Sequence, residues 1–125
     1  MQAKLVMIAG PYRSGTGDDP RLIAENLERL EAAAREVWDA GHLPVIGEWF
    51  ALPLAKAGGS TKVGDAAFVE VQYPVADRLL DSCAAVLRIP GASSGADRDV
   101  EGAERRGLVV AHDIAELAAG LSGRA

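Results

Sequence analysis

The chain has 125 residues, of which 49% are hydrophobic and 25% are charged, a composition typical of one globular domain and not of a disordered segment. Thirteen basic and eighteen acidic residues give a net charge of -5 at pH 7, which argues against a nucleic-acid polymer as partner. One cysteine, Cys83, and two histidines predict neither an internal disulfide nor a metal site.

The sequence also lacks the features of a membrane protein. No apolar run approaches the roughly 20 residues needed to span a bilayer, and no basic segment followed by a long apolar stretch opens the chain. A lone cysteine suits a reducing compartment. We therefore expect a cytoplasmic protein without a membrane partner or a cofactor, with one domain over residues 1–121 and a flexible tail over residues 122–125.

The first predicted elements are a strand and a helix. The apolar run Leu5–Ala9 predicts a buried strand, because Gly10 and Pro11 end it abruptly. A polar loop follows, and Asp19 and Pro20 then supply an N-cap and a first helical residue. Apolar residues at helical spacing extend the predicted helix from this cap.

A second strand completes a βαβ unit. The first helix is predicted to end at Gly41, and Leu43–Ile46 is typical of a strand. The crossover between such strands is nearly always right-handed, which implies a parallel sheet. Residues 47–64 are interpreted as a loop or a broken helix over the ligand-binding edge.

The second half of the chain continues the alternation. Asp65 is expected to cap a helix running to about Cys83, which Pro74 should kink or restart. Asp113 caps a short last helix through Leu117. The other predicted elements are a strand over residues 84–89, a loop over 90–94, a helix over 95–106 and a strand over 108–111.

Together these elements predict an α/β fold. Four or five parallel strands with helices on both faces form an open, doubly wound, flavodoxin-like or Rossmann-like sheet. Such sheets bind ligands beyond the carboxyl ends of their strands. This rule selects three loops as candidate binding regions, namely residues 10–19, 47–64 and 90–98.

The first of these loops carries the largest set of candidate residues. It precedes a helix N-terminus, where free N–H groups and the helix dipole favour a phosphate or a sugar hydroxyl. It matches neither a P-loop nor a G-x-G-x-x-G fingerprint, so a flexible connector is the alternative interpretation. Tyr12 adds a ring that can stack and hydrogen-bond. The candidate substrate-binding residues here are Gly10, Pro11, Arg13, Ser14, Gly15 and Thr16.

The third loop combines hydroxyls, backbone N–H groups and carboxylates. Ser93, Ser94 and Gly95 are candidates for substrate binding at the start of the following helix. Asp97 and Asp99 follow in its first turns, where a carboxylate either takes part in catalysis or simply complements the helix dipole. The sequence alone leaves both readings open.

For two further candidate residues, a purely structural role is the alternative to a functional one. Asp77, on the helix before the third strand, is either a functional carboxylate or a solvated one. Trp49, in the second loop, either stacks on a base or packs in the core.

Three motifs, read together, resemble one known family. Ile8–Tyr12, Ala40–Val45 and Ser93–Asp99 are similar in sequence and order to motifs of the nucleoside 2-deoxyribosyltransferase-like family, which includes deoxynucleoside 5'-monophosphate N-hydrolases. The resemblance extends from residue 5 to about residue 111. It implies a flavodoxin-like sheet, a nucleoside or nucleotide ligand, and a homodimer or larger homo-oligomer with sites near subunit contacts.

The resemblance also implies roles for individual residues. Asp99, four residues after Gly95, matches the family's nucleophilic glutamate, which attacks the anomeric carbon and displaces the base. Asp77 matches the assisting aspartate, and Tyr12 the tyrosine that positions the nucleophile. Ser93 matches a serine that holds a 5'-phosphate, with residues 13–16 beside it.

Two departures from the family pattern bear on activity. Aspartate replaces glutamate at Asp99, and a displacement of about 1 Å can cost on the order of 100-fold in rate. Asp77 is shifted by one residue, which turns a helical side chain by about 100°. We expect cleavage or transfer at an N-glycosidic bond, with hydrolysis and transfer left open. The alternatives are an inactive nucleotide-binding or sensing module and a purely structural protein.

Overall fold

The structure is a computed structural model and describes residues 2–123. Strands and helices alternate along this part of the chain. The elements are β1 (Leu5–Ala9), α1 (Pro20–Asp39), β2 (Leu43–Val45), α2 (Glu48–Ala57), α3 (Ala66–Leu80), β3 (Ala85–Arg88), α4 (Ser94–Arg105), β4 (Val109–Ala111) and α5 (Ile114–Ser122).

The four strands form one parallel sheet in the order β2-β1-β3-β4. Val6 of β1 lies between Pro44 of β2 and Ala85 of β3. The strand order reverses at β1, because β2 lies on one side of this strand and β3 and β4 lie on the other. The predicted flavodoxin-like α/β fold is confirmed, with four strands in the described residues.

Helices cover both faces of this sheet because β1 alternates its side chains between two cores. Val6 and Ile8 pack on the side of α1 and α5, whereas Met7 and Ala9 pack on the side of α3 and α4. Both sides of the central strand are therefore buried, which explains its continuous apolar sequence.

Helix α1 begins and ends where the sequence predicts. The Asp19 side chain accepts a hydrogen bond from the N–H of Arg21 at 2.9 Å, and Pro20 occupies the first helical position. At the other end Gly41 adopts a positive φ of 94°, a conformation that favours glycine.

Three helices are longer or more regular than predicted. Residues 47–64 contain α2, because Ala51 and Ala55, one turn apart, are buried and hold a helix despite Pro53. Helix α3 continues through Pro74 without restarting. Helix α5 runs past Leu117 and buries Leu121 one turn later, which stabilises its second half. Of the predicted tail, residue 122 ends α5 and residues 124 and 125 lie outside the described residues.

Within residues 2–123, none of the helices has both the length and the apolar character needed to cross a bilayer.

Candidate active site

A cleft of about 400 Å³ opens beyond the carboxyl ends of β1, β2 and β3. It lies where the strand order reverses, the position at which open α/β sheets bind ligands. Its walls come from β1, the first loop and the starts of α2 and α4, with the middle of α3 on the remaining side. The lining residues used below are Gly10, Tyr12, Arg13, Ser14, Asp18, Glu48, Tyr73, Ser93, Ser94, Gly95 and Asp99.

The first loop has its own hydrogen-bonded framework. Arg13 makes a two-point ion pair with Asp18, with N–O distances of 3.0 and 3.1 Å. The buried Thr16 hydroxyl donates to the carbonyl of Arg13 at 2.5 Å and accepts from the N–H of Asp18 at 3.2 Å. The loop is thus an ordered structure, and the Arg13 charge is already balanced by a neighbour.

Gly10 has a steric reason to be glycine. A Cβ atom at this position would overlap the side chain of Ile89, just beyond β3. The close approach brings the first loop against the loop after β3, so that both loops border one cleft.

The N-terminus of α4 forms a second wall. The Ser93 hydroxyl accepts a hydrogen bond from the N–H of Ala96 at 3.1 Å, so this buried side chain caps the helix. Ser94 and Gly95 follow in the first turn and also line the cleft. Their backbone N–H groups belong to the positive end of the helix dipole, which suits an anionic or hydroxyl-rich ligand.

Asp99 lies deeper along the same helix, with its carboxyl group in the cleft. Burial raises the pKa of this carboxyl from 3.8 to about 7. The negative charges of Glu48 and Asp77 add to the rise in pKa, whereas the positive charges of Arg98 and Arg88 oppose it. Asp99 therefore exchanges a proton near neutral pH, a property typical of functional carboxyl groups.

Glu48 is a second cleft carboxyl that sequence reasoning missed. It opens α2 directly after β2, and burial raises the pKa of its side chain. The available signal was its place just beyond the second strand, at the ligand-binding edge. Interpreting residues 47–64 as a loop or broken helix hid the direction of its side chain.

Tyr12 is buried and also lines the cleft. Burial, and next the charge of Glu48, raises the pKa of the Tyr12 phenol, so the hydroxyl stays protonated near neutral pH. The backbone carbonyl of Tyr12 accepts a hydrogen bond from the side chain of Asn26 on α1 at 2.8 Å. This contact connects the backbone of the first loop to α1.

The predicted candidate Asp77 does not line the cleft. Its carboxylate forms a two-point ion pair with Arg98, at 3.3 and 3.1 Å, and its side chain is 42% exposed. The lining residues of α3 are instead Gln72, Tyr73 and Ala76. Successive helical side chains are about 100° apart, so Asp77 is rotated away from the face that Ala76 presents.

Trp49 is likewise outside the cleft. Its indole N–H donates to Glu31 of α1 at 3.0 Å, and 40% of the residue is exposed. Since α2 starts at Glu48, the helical rotation that turns this carboxyl into the cleft turns the next side chain away. Trp49 neither stacks on a cleft ligand here nor packs in the core.

The remaining first-loop candidates divide between two cavities. Gly10, Arg13 and Ser14 line the cleft, whereas Pro11, Gly15 and Thr16 line a neighbouring cavity of about 360 Å³, together with Ser14. The first loop separates the two spaces. In the described part of the chain, no group of three or more His, Cys, Asp or Glu side chains is arranged to hold a metal ion.

Comparison with known proteins adds no relative to this picture. No family model matches the chain, and no curated protein matches it significantly. The functional interpretation therefore depends on the residues of the cleft and on the motif resemblance.

Proposed function

We propose that this protein cleaves the N-glycosidic bond of a nucleoside or its 5'-monophosphate, or transfers the sugar to a second base, in the cleft that contains Asp99 and Glu48. The observation that carries the proposal is this pair of carboxyl groups, both with raised pKa values, in one cleft. Enzymes that break glycosidic bonds usually use two carboxyl groups, one protonated and one ionised.

The charge of the cleft suits such a reaction. Asp18, Glu48 and Asp99 line it, and among its described lining residues Arg13 is the one basic side chain, already paired with Asp18. Cleavage of a glycosidic bond develops positive charge on the sugar. An acidic, partly buried cleft stabilises that charge more than it stabilises a neutral substrate.

The resemblance assigns the nucleophile to Asp99. A carboxylate oxygen of Asp99 forms a bond with the anomeric carbon, the bond from that carbon to the base nitrogen breaks, and its electron pair stays with the base. Water or an acceptor base then attacks the anomeric carbon and releases the Asp99 carboxylate. This two-step course matches that of retaining glycosidases.

Glu48 replaces Asp77 in our proposal as the donor of the proton that the departing base needs. Asp77 is engaged with Arg98 outside the cleft, whereas Glu48 lines the cleft and its protonated form is favoured by burial. Proton return from the attacking water or acceptor base restores Glu48. Tyr12 lines the same cleft as both carboxyl groups, and we assign it the positioning of the nucleophile that the resemblance implies.

The 5' end of the substrate is assigned to the N-terminus of α4. Backbone N–H groups near Ser94 and Gly95 can bind a hydroxyl or a phosphate there. Ser93 supports this site as a helix cap, and Ser14 faces it from the first loop. Arg13 contributes less charge than the sequence alone implies, because Asp18 neutralises it.

A second candidate function is the inactive nucleotide-binding or sensing module. It is favoured by the aspartate at position 99, which stands where the family that this chain resembles has a longer glutamate, because a displacement of the nucleophile by about 1 Å can cost on the order of 100-fold in rate. The cleft and the α4 N-terminus would still bind a ligand. The two functions differ in whether bound nucleoside is ever broken down.

The homo-oligomer implied by the resemblance remains a prediction. Exposed apolar side chains that a subunit contact could cover occur on α2 and α3, where Phe50 and Leu54 lie one turn apart and Val69 lies on the neighbouring helix. Light scattering coupled to size-exclusion chromatography measures the mass directly. A monomer at all concentrations would contradict the prediction.

The proposed reaction is tested by measuring free-base release from a panel of deoxyribo- and ribonucleosides and their 5'-monophosphates, with and without an acceptor base. Release by the parent protein that is lost in Asp99→Asn supports glycosidic chemistry at this cleft, and dependence on an acceptor base identifies a transferase. Undiminished release by Asp99→Asn would contradict the assignment. Binding of a nucleotide without release would favour the sensing module.

A further inference from the structure

Helix α3 presents an aromatic side chain, Tyr73, to the proposed active-site cleft. Tyr73 lines the cleft and is 38% exposed, so a ligand in the cleft can reach its ring. It comes from the α3 wall of the cleft, and the sequence motifs assign it no role.

The ring of Tyr73 is supported from behind. The guanidinium carbon of Arg98 lies over the ring, 4.4 Å from its centroid, a favourable cation–π geometry. Arg98 does not line the cleft, whereas Tyr73 does. The guanidinium therefore covers one face of the ring, while Tyr73 still borders the cleft.

The guanidinium is itself held in place. Both terminal nitrogens of Arg98 donate to the carboxylate of Asp77, at 3.3 and 3.1 Å. A two-point pair fixes the plane of a guanidinium group better than a single bond does. Asp77 thus holds the guanidinium of Arg98, and the guanidinium in turn lies against the ring of Tyr73. These contacts connect α4 to α3 and orient the ring.

We infer that Tyr73 is the platform on which the base of the nucleoside stacks, with Arg98 and Asp77 as positioning residues behind it. This inference rests on the proposed function and names the subsite for the base. An aromatic ring that borders a cleft, with one face covered by a cation and part of the residue exposed, offers a planar, apolar surface of the kind that nucleobases bind. Tyr73 thereby takes the stacking role that was one of the two alternatives for Trp49.

The subsite is tested by calorimetric binding in an Asp99→Asn background, which prevents turnover during the measurement. The ligands are the nucleosides and 5'-monophosphates of the panel, with 2-deoxyribose 5-phosphate as a ligand without a base. Tyr73→Leu removes the ring and keeps apolar bulk, and Tyr73→Phe keeps the ring. Val69→Ala, one turn earlier on the same helix and outside the cleft, is the matched control.

We expect Tyr73→Leu to weaken binding of the tightest nucleotide by about 10-fold or more, since stacking on an aromatic ring typically contributes that much. The affinity for 2-deoxyribose 5-phosphate should stay unchanged. Tyr73→Phe should bind like the background within about 2-fold because it keeps the ring on which the base stacks. Val69→Ala should do the same because Val69 lies outside the cleft. Arg98→Gln should weaken nucleotide binding less than Tyr73→Leu, again without affecting the sugar phosphate.

The possible failures are distinguishable. Equal nucleotide affinity in Tyr73→Leu and the background would overturn the Tyr73 subsite and leave the proposed reaction standing. Equal losses for the nucleotide and the sugar phosphate would also overturn it, because the effect would then be structural. Absence of nucleoside and nucleotide binding in both the parent protein and the Asp99→Asn background would overturn the subsite and the proposed function together.

Discussion

The two sides of helix α4 present carboxylates in opposite settings. Asp97 is 68% exposed and forms an ion pair with Arg88 at 3.0 Å. Asp99 lies in the cleft, and its pKa is raised to about 7. Two aspartates separated by a single residue thus differ in exposure and in their surroundings.

The difference follows from helical geometry. Two residues along a helix correspond to a rotation of about 200°, so one side chain faces outward when the other faces the cleft. Arg88 also donates to the carbonyls of Ile89 and Gly91, which makes Asp97 part of the support for the loop after β3. The interpretation of an acidic residue as a simple dipole partner therefore fits Asp97, whereas Asp99 lies in the cleft, where we propose that it reacts.

The largest expected effect separates these two aspartates by activity. Asp99→Asn should lower kcat for base release by at least about 10³-fold, because removing a nucleophile abolishes its covalent step. Asp97→Asn should stay within about 3-fold, since exposed ion pairs contribute little. The measurement is initial-rate kinetics on the best nucleoside or nucleotide. Equal losses in both variants would remove the functional distinction between the two sides of α4.

A second expected effect concerns Glu48, the first of the neighbouring charges that raise the pKa of Asp99. Glu48→Gln should reduce kcat by on the order of 10²- to 10³-fold, the range typical of a lost proton donor. The matched control is Glu31→Gln, which removes an exposed carboxylate that contacts Trp49 outside the cleft. Near-normal kcat in Glu48→Gln would exclude Glu48 as the donor.

The pH dependence tests which form of Asp99 reacts. A nucleophile must be ionised, so kcat/KM should rise about tenfold per pH unit below about pH 7, the pKa of Asp99. The proposed donor Glu48 must keep its proton, so the rate should fall again at higher pH, where Glu48 ionises, and this falling limb should be missing in Glu48→Gln. A rate in Glu48→Gln that falls as pH increases through 7 would identify Asp99 as the proton donor and exchange the two roles.

The smallest expected effect is on stability. The folded-state pKa of Asp99 is raised above its ordinary value of 3.8, so its stabilising contribution is complete below that value and is lost as pH rises through about 7. A rise of the pKa from 3.8 to about 7 corresponds to about 4 kcal/mol, which solvent screening of this partly exposed group reduces. Asp99→Asn should therefore exceed the parent in free energy of unfolding by about 1–2 kcal/mol at pH 8, with the difference vanishing near pH 4. Urea unfolding at the two pH values provides the comparison.

Much of the fold could be predicted because its signals are local. The Asp19 cap, Gly41 and the apolar run Leu5–Ala9 specify helix and strand boundaries through short-range geometry. Helix α2 was the main exception. Pro53 is a local signal against a helix, and burial of Ala51 and Ala55 outweighs it through packing that is not evident from the segment alone.

The candidate site was predictable to the level of loops and less so to the level of side chains. The sequence and the strand-end rule selected the regions that carry Tyr12, Ser93 and Asp99, and the structure brings these three into one cleft. The direction of a helical side chain depends on the starting residue of the helix. Because the sequence did not define where α2 starts, it did not predict that Glu48 lines the cleft or that Trp49 lies outside it.

The amino-acid sequence alone was enough to establish the alternation of strands and helices, the parallel sheet and the edge at which such sheets bind ligands, because each depends on hydrophobic period, caps and chain direction. Only the tertiary structure decided that Glu48 and Asp99 line one cleft and that Asp77 is paired with Arg98, which lies over the ring of Tyr73. Those relations join residues far apart in the chain, and they depend on helix rotation and burial.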